Sequence, residues 1–485
     1  MLFNSLAFFI FFPVVTISYF TMPHRYRWAL LLLASCFFYM FFIPAYLLIL
    51  LFTIGLDFFL AQQIEKSQGK VRRWLLGISL TSNISILAFF KYANFISENL
   101  NVLLQSLGLN YLIPYLSIIL PIGLSFHTFQ AMSYMIEVYW GKQKAEKHLG
   151  IYALYVMFYP QLVAGPIERP QNLLHQFREK HVFDYVRVVE GLKLMAFGLF
   201  LKVVIADHLA IFVNEVYRSP QNYPSAVVVW AAIFFSFQIY CDFYGYSTIA
   251  IGAAMVMGFR LMKNFDHPYA SVSINEFWRR WHISLSTWFK DYVYIPLGGS
   301  RVSIPRWYLH ILIVFGLSGI WHGASWLFVI WGILQAFYII TGRLTEPVRQ
   351  KFHQLILLDR IPLLHKILKI LTVFFLVTIA WVFFRARTLQ DAVYIIEHFF
   401  TGWSQSPGLL ALKAIGSYVS FNSTDIIFCL SYICLLLLTE FVQRRFNHLM
   451  IPSTSYWRWP VYYIMVAGIL FWGVWGQQQF IYFQF

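Results

Sequence analysis

Apolar runs close to 20 residues long recur from one end of this chain to the other. That is the length at which an α-helix crosses the hydrocarbon layer of a bilayer. The runs fall at 4–21, 28–43, 44–62, 74–92, 112–140, 150–165, 190–215, 224–259, 309–341, 366–385, 424–443 and 459–480. Some are too long for one span and some too short, and the 112–140 run is broken at Pro121. The expectation is about ten to thirteen spans with re-entrant segments. Composition leaves little alternative. Of 485 residues 59% are hydrophobic, 20% aromatic and 12% charged, against roughly 25% charged in a soluble domain. The chain is read as an all-α polytopic membrane protein, one embedded unit over 1–485, without internal repeat, low-complexity tract or soluble appendage.

The formal net charge is +15, but its placement argues against nucleic acid as a partner. Lys and Arg gather in short links between apolar runs, as they do in cytoplasmic loops. The links His24–Arg27, Lys66–Arg73, Lys142–Lys147, 263–308, Arg343–Lys369 and Arg444–Arg445 are expected on that side. The stretches 42–44, 93–110 and 387–423 would face outward, and 166–188 reads as a surface or interfacial segment. Cys36, Cys241, Cys429 and Cys434 all lie in apolar runs without CxxC or Cys/His spacing, so neither a disulfide framework nor a structural metal is expected. The first run lacks a basic leader and an AxA-like cleavage site, and reads as a retained span.

Polar chemistry concentrates between Asn264 and Trp326. Within 263–308, Phe277, Trp278, Trp281, Trp288 and Phe289 recur at i,i+3 and i,i+4 spacing, a stripe suited to an amphipathic helix at the membrane interface, with Gly298-Gly299 as a turn. His322 stands in the apolar run SGIWHGASW, where an ionisable group is a functional candidate by default. A neutral imidazole can take a proton from a hydroxyl. Gly319 and Gly323 would admit a substrate closely, and Ser318 and Ser325 would satisfy the ring nitrogens. His282 follows Arg279 and Arg280 and precedes Ser284, Ser286 and Lys290. Guanidinium and ammonium groups match phosphate oxygens, although no P-loop or GxGxxG accompanies them. His127, Glu137 and Asp242 read as interhelical hydrogen-bonding groups and His267 as structural. No HxxxH or HxH spacing supports a metal site. Two reaction classes remain open on these residues. One is acyl transfer, with a buried His activating a hydroxyl against a thioester. The other is a transporter or channel relaying protons through intramembrane His and carboxylates, for which pseudo-repeats would be expected.

Four stretches carry a resemblance: LPIGLSFHTFQAMSYMIEVYWGK at 120–142, YPQLVAGPIERP at 159–170, IYCDFYGYSTIAIGAAMVMGF at 239–259, and EFWRRWHISLSTWFKDYVYIPLGGSR continuing to SGIWHGASW. In these the chain resembles the membrane-bound O-acyltransferase family, in its bacterial branch of alginate O-acetylases and peptidoglycan O-acetyltransferases. The resemblance implies a helical bundle with a cytoplasmic funnel and a central tunnel, its catalytic region at about 120–341. It implies His322 and His282 as the catalytic pair, and Trp281, Trp321, Trp326 and Ser325 as tunnel lining. Arg279, Arg280 and Lys290 would then meet the phosphates of acetyl-CoA, a donor substrate rather than a permanently bound cofactor. It further implies a multi-pass protein of the bacterial inner membrane, an extracytoplasmic SGNH-hydrolase-like partner, and a polysaccharide acceptor. Alginate comes first, peptidoglycan next, and teichoic-acid D-alanylation third.

Overall fold

The computed structural model describes residues 1–109, 111–403, 423–446, 455–475 and 480–481. Part of the stretch expected to face outward, 404–422, lies outside the described residues. Every regular element among them is helical. In order these are α1 (Leu6–Thr21), α2 (His24–Met40), α3 (Tyr46–Lys66), α4 (Gly69–Ser106), α5 (Leu124–Tyr139), α6 (Leu149–Met157), α7 (Pro170–Leu173), α8 (Tyr185–Leu199), α9 (Asp207–Arg218), α10 (Ser225–Met257), α11 (Ile274–Arg280), α12 (Ile283–Phe289), α13 (Ile304–His322), α14 (Trp326–Leu344), α15 (Glu346–Leu355), α16 (Pro362–Arg385) and α17 (Leu389–Glu397). Helices Ser423–Phe446 and Ser455–Trp472 follow. Among the described residues seven helices are long and apolar enough to cross a membrane: α3, α4, the continuous Tyr185–Arg218 segment, α10, α13, α14 and α16. Shorter apolar helices lie at Leu6–Thr21, Ile426–Val442 and Trp459–Trp472.

The pillar of the bundle is α10, buried along nearly its whole length. Glycine makes its packing against α8 possible. A Cβ on Gly198 would sit 2.6 Å from the Gly245 carbonyl oxygen, and one on Gly252 would sit 2.5 Å from that of Gly191. Where lipid offers no hydrophobic drive between helices, backbones brought this close gain dispersion contact instead. Between α8 and α9 the chain takes a π-helical course over Phe200–Ala206. There Lys202 pairs with Asp207 at 2.7 Å and with Asp242 of α10 at 2.8 Å, three buried charges that answer one another.

The structure redraws several boundaries read from hydropathy. The 309–341 run is two helices, because the backbone is extended at Gly323 and Ser325 caps α14 by accepting from the Leu327 amide. The resulting hairpin is tight: a Cβ on Gly319 would lie 2.3 Å from the Phe328 carbonyl oxygen. Gly319 is therefore there for α14, not for a substrate. A Cβ on Gly323 would likewise meet the Phe328 ring at 2.1 Å. The 112–140 run is helical only from Leu124, after Gly123 at φ 80°. Before it the extended chain is paired to α4: Asn94 exchanges hydrogen bonds with Leu116 (2.8 and 2.9 Å), and Asn101 with Ile113 (3.0 and 2.8 Å). The 150–165 run holds a nine-residue helix and then an irregular turn, Phe158–Gly165, that is wholly buried. Such backbone is tolerated at membrane depth where protein covers it. Nor is the beginning of 166–188 a surface segment. Ile167, Glu168, Pro170 and Leu173 are buried, and the Glu168 carboxylate accepts from the Met262 amide at 2.6 Å.

Candidate active site

The aromatic stripe at 277–289 is not the lipid-facing side of one helix. It breaks into α11 and α12 and enters the core, where Phe277, Trp281, Trp288 and Phe289 are all buried. Trp288 stacks on Phe129 at 3.9 Å and donates its indole N–H to the Phe129 carbonyl. The break falls on His282, which adopts a left-handed backbone at φ 43°, ψ 56°. That conformation costs a residue with a Cβ roughly 1–2 kcal/mol and persists only where the surroundings enforce it.

Asn264 is what enforces it. Its carbonyl accepts from the Ile283 amide at 2.9 Å. Its Oδ1 accepts from the Ser284 hydroxyl at 2.6 Å and the Ser284 amide at 3.3 Å, and its Nδ2 donates to Ser247 of α10 at 3.0 Å. The Ser284 hydroxyl in turn accepts from the Ile167 amide at 3.0 Å. Three segments distant in sequence thus meet around one turn, and His282 is left buried at its apex. His282 lies outside the membrane-length helices. Burial pulls its imidazole down to about 3, so it is neutral at physiological pH.

His322 arrives from the other side, as the last residue of α13. The rings of Trp331 and Phe384 lie 4.9 and 5.2 Å from its own. Trp321 joins the two histidines, with centroids 6.3 Å from His282 and 4.9 Å from His322, and is itself stacked on Phe129. Both imidazoles therefore face a low-dielectric, aromatic-walled junction.

A cavity of about 380 Å³ opens beside this junction. Arg279, Lys290, Trp278, Ile283, Ser286 and Ser318 are among the residues lining it. Ser318 lies one helical turn before His322 on the same face of α13, so the cavity approaches that histidine, while His282, His322 and Trp321 are not themselves among its lining residues. Arg279 and Lys290 carry exposed side chains.

Not every residue singled out in the sequence joins them. Arg280 does not line the cavity; it pairs with Glu276 at 2.7 Å and donates to the Asp266 carbonyl at 3.2 Å. Trp281 packs in an aromatic core with Phe265, Phe277 and Trp381. Trp326 stands apart, 60% exposed, its indole N–H donated to Asn99 at 2.9 Å. Ser325 is used as the α14 cap. His127 bonds Thr53 at 2.8 Å, and Glu137 holds Tyr292 at 2.8 Å and Gln171 at 2.9 Å, the interhelical roles anticipated for them. Among the described residues one group has metal-ligand spacing, His353, Asp359 and His365, and neither His282 nor His322 belongs to it. Sequence reasoning missed Asn264, whose only local signal was its place before FDHPY. It also missed Lys91, which reads there as an ordinary Lys near a span end.

A sequence model of MBOAT, the membrane-bound O-acyltransferase family, matches residues 75–384. The chain is 38% identical over 409 residues to a probable alginate O-acetylase AlgI of Pseudomonas aeruginosa, covering 83% of this chain and 75% of that one. It is 35% identical over 432 residues to a peptidoglycan O-acetyltransferase of Helicobacter pylori, covering 82% and 79%. Similarity extends at 26% over 239 residues to a teichoic acid D-alanyltransferase of Streptococcus thermophilus, covering 45% and 56%.

Proposed function

The chain belongs to the membrane-bound O-acyltransferase family and is an acyltransferase, and from that premise we propose the reaction and its direction. An acetyl group passes from cytoplasmic acetyl-CoA through the bacterial inner membrane to an extracytoplasmic polysaccharide, alginate in the first instance. Peptidoglycan is the second reading, favoured by the Helicobacter pylori relative. An extracytoplasmic SGNH-hydrolase-like partner completes delivery to the polymer.

The reading rests on one observation: two buried histidines share Trp321 next to a cavity carrying Arg279 and Lys290. The two cations receive the donor's phosphates, because among the residues lining the cavity they are its charged contacts. The thioester then lies along Ser318, towards α13's last turn. His282, neutral, donates its N–H to the thioester carbonyl oxygen, where negative charge develops. His322 takes the proton of the accepting hydroxyl as the C–O bond forms and the C–S bond breaks, then returns it to the departing thiolate. Aromatic walls exclude water, so the thioester is spared hydrolysis.

The test is turnover of radiolabelled acetyl-CoA by purified protein in nanodiscs, wild type against His322→Ala. Label transfer or thioester cleavage that needs His322 supports the reading. No turnover by wild type with partner and polymer added overturns acetyl-CoA as donor.

A further inference from the structure

The end of α13 has no backbone cap. Gly323 follows His322 in an extended conformation, so the last carbonyls of the helix need partners from elsewhere. At membrane depth no water supplies them. Helix α4 does. Tyr92 donates its hydroxyl to the Ile320 carbonyl at 2.6 Å, and Lys91 donates from Nζ to the carbonyls of Trp321 at 2.6 Å and His322 at 2.9 Å. Two turns further along, Asn99 of the same helix holds the first residue of α14 through the Trp326 indole. The turn that presents His322 is thus gripped on both sides by one helix of 38 residues. That helix is anchored in its own middle, where Ser79 and Asn83 hold Asp57 of α3 at 2.6 and 2.9 Å.

We infer that Lys91 is a positioning residue for the transfer reaction: its Nζ, bound to the carbonyls of Trp321 and His322, fixes where the His322 imidazole stands relative to His282 and the cavity. The inference rests on the reading of His322 as the reacting base. N–H donors at this place suit the negative end of α13's dipole. Its two bonds fall on the two residues that form the junction, not on a distant part of the helix. A neutral side chain of the same length would fill the volume yet release both carbonyls. The last turn would then be free to fray, and a displacement of about 1 Å at a reacting group costs roughly 100-fold in rate.

The experiment uses the full chain in nanodiscs with radiolabelled acetyl-CoA, comparing wild type, Lys91→Met, Lys91→Arg, Tyr92→Phe and His322→Ala. Lys91→Met is expected to lower kcat about 100-fold while donor KM stays within about twofold. Lys91→Arg, which keeps charge and donors, should recover about tenfold of that loss, and Tyr92→Phe, which frees one carbonyl, should lose the least. Faster amide exchange at 319–322 in Lys91→Met should accompany the loss. A folded Lys91→Met with wild-type kcat overturns the inference; so does a loss carried in KM with kcat intact. Should Lys91→Met fail to fold, Lys91→Gln takes its place, with one uncharged donor and the same criterion. Turnover that survives His322→Ala would instead sink the underlying reading of the site. Loss in His322→Ala with wild-type rates in every Lys91 variant would sink only the role given to Lys91.

Discussion

His282 and His322 reach the same junction from turns built in different ways. The His282 turn is strained and secured close at hand: Asn264 and Ser284, within 20 residues of one another, hold a left-handed backbone between two seven-residue helices. The His322 turn is unstrained helix, secured by Lys91, 231 residues earlier in the chain. A local clamp can enforce an unfavourable backbone because its bonds are short-range and buried. A helix end needs only acceptor satisfaction, and a neighbouring span can supply that. The first turn should therefore be sensitive to backbone chemistry, the second to packing between spans.

The largest effect should come from removing the base itself. His322→Ala is expected to lose about 10³-fold or more in turnover, with insertion and folding intact by size-exclusion profile. Next, Asn264→Ala leaves the Ser284 and Ser247 hydroxyls without their partner. It should cost about 3 kcal/mol, read by unfolding in mixed micelles, and disorder His282 more than His322. A third experiment uses pH. His282 is held at about 3 in the fold, against about 6.5 when unfolded. Its contribution is present above the unfolded value and is lost as pH falls, because only the unfolded chain then binds the proton. Between pH 6.5 and 5 wild type should lose about 1.5 kcal/mol relative to His282→Gln, and parallel curves would refute a buried neutral His282. For the donor, Arg279→Gln should raise KM about tenfold while Arg280→Gln leaves it nearly unchanged, since Arg280 is engaged with Glu276 and Asp266. Equal effects would place both on the donor. The smallest contrast is the sharpest about the two turns. At His282, Gly should be more stable than Ala by about 1 kcal/mol, though inactive. At His322, with helical backbone, the order should reverse by about 0.5–1 kcal/mol.

Much of the site was legible without coordinates because its residue types are costly in an apolar chain. His282, His322, Arg279 and Lys290 stand out against their surroundings, and motif order named the family. What the sequence concealed is how those groups are held. Arg279 and Arg280 are adjacent and chemically alike, yet one lines the cavity and the other forms an ion pair, a difference set by the direction each takes off α11. Gly319 reads as room for substrate and is room for α14. The stripe Phe277–Phe289 has the spacing of a surface helix, but its apolar groups found a protein core instead of lipid. Periodicity measures how much apolar surface must be covered and says nothing of what covers it.

Composition and spacing alone determined that this is a helical membrane protein, since backbone polar groups in hydrocarbon must be satisfied within helices. They also singled out His282 and His322 as candidates, as ionisable groups in an apolar chain. Only the tertiary structure decided that 309–341 is a hairpin, that His282 sits on a strained turn, and that α4 closes the end of α13. Those outcomes depend on which groups meet in space, close by in the hairpin and at the His282 turn and far along the chain at Lys91, and local propensity carries no information about the partner.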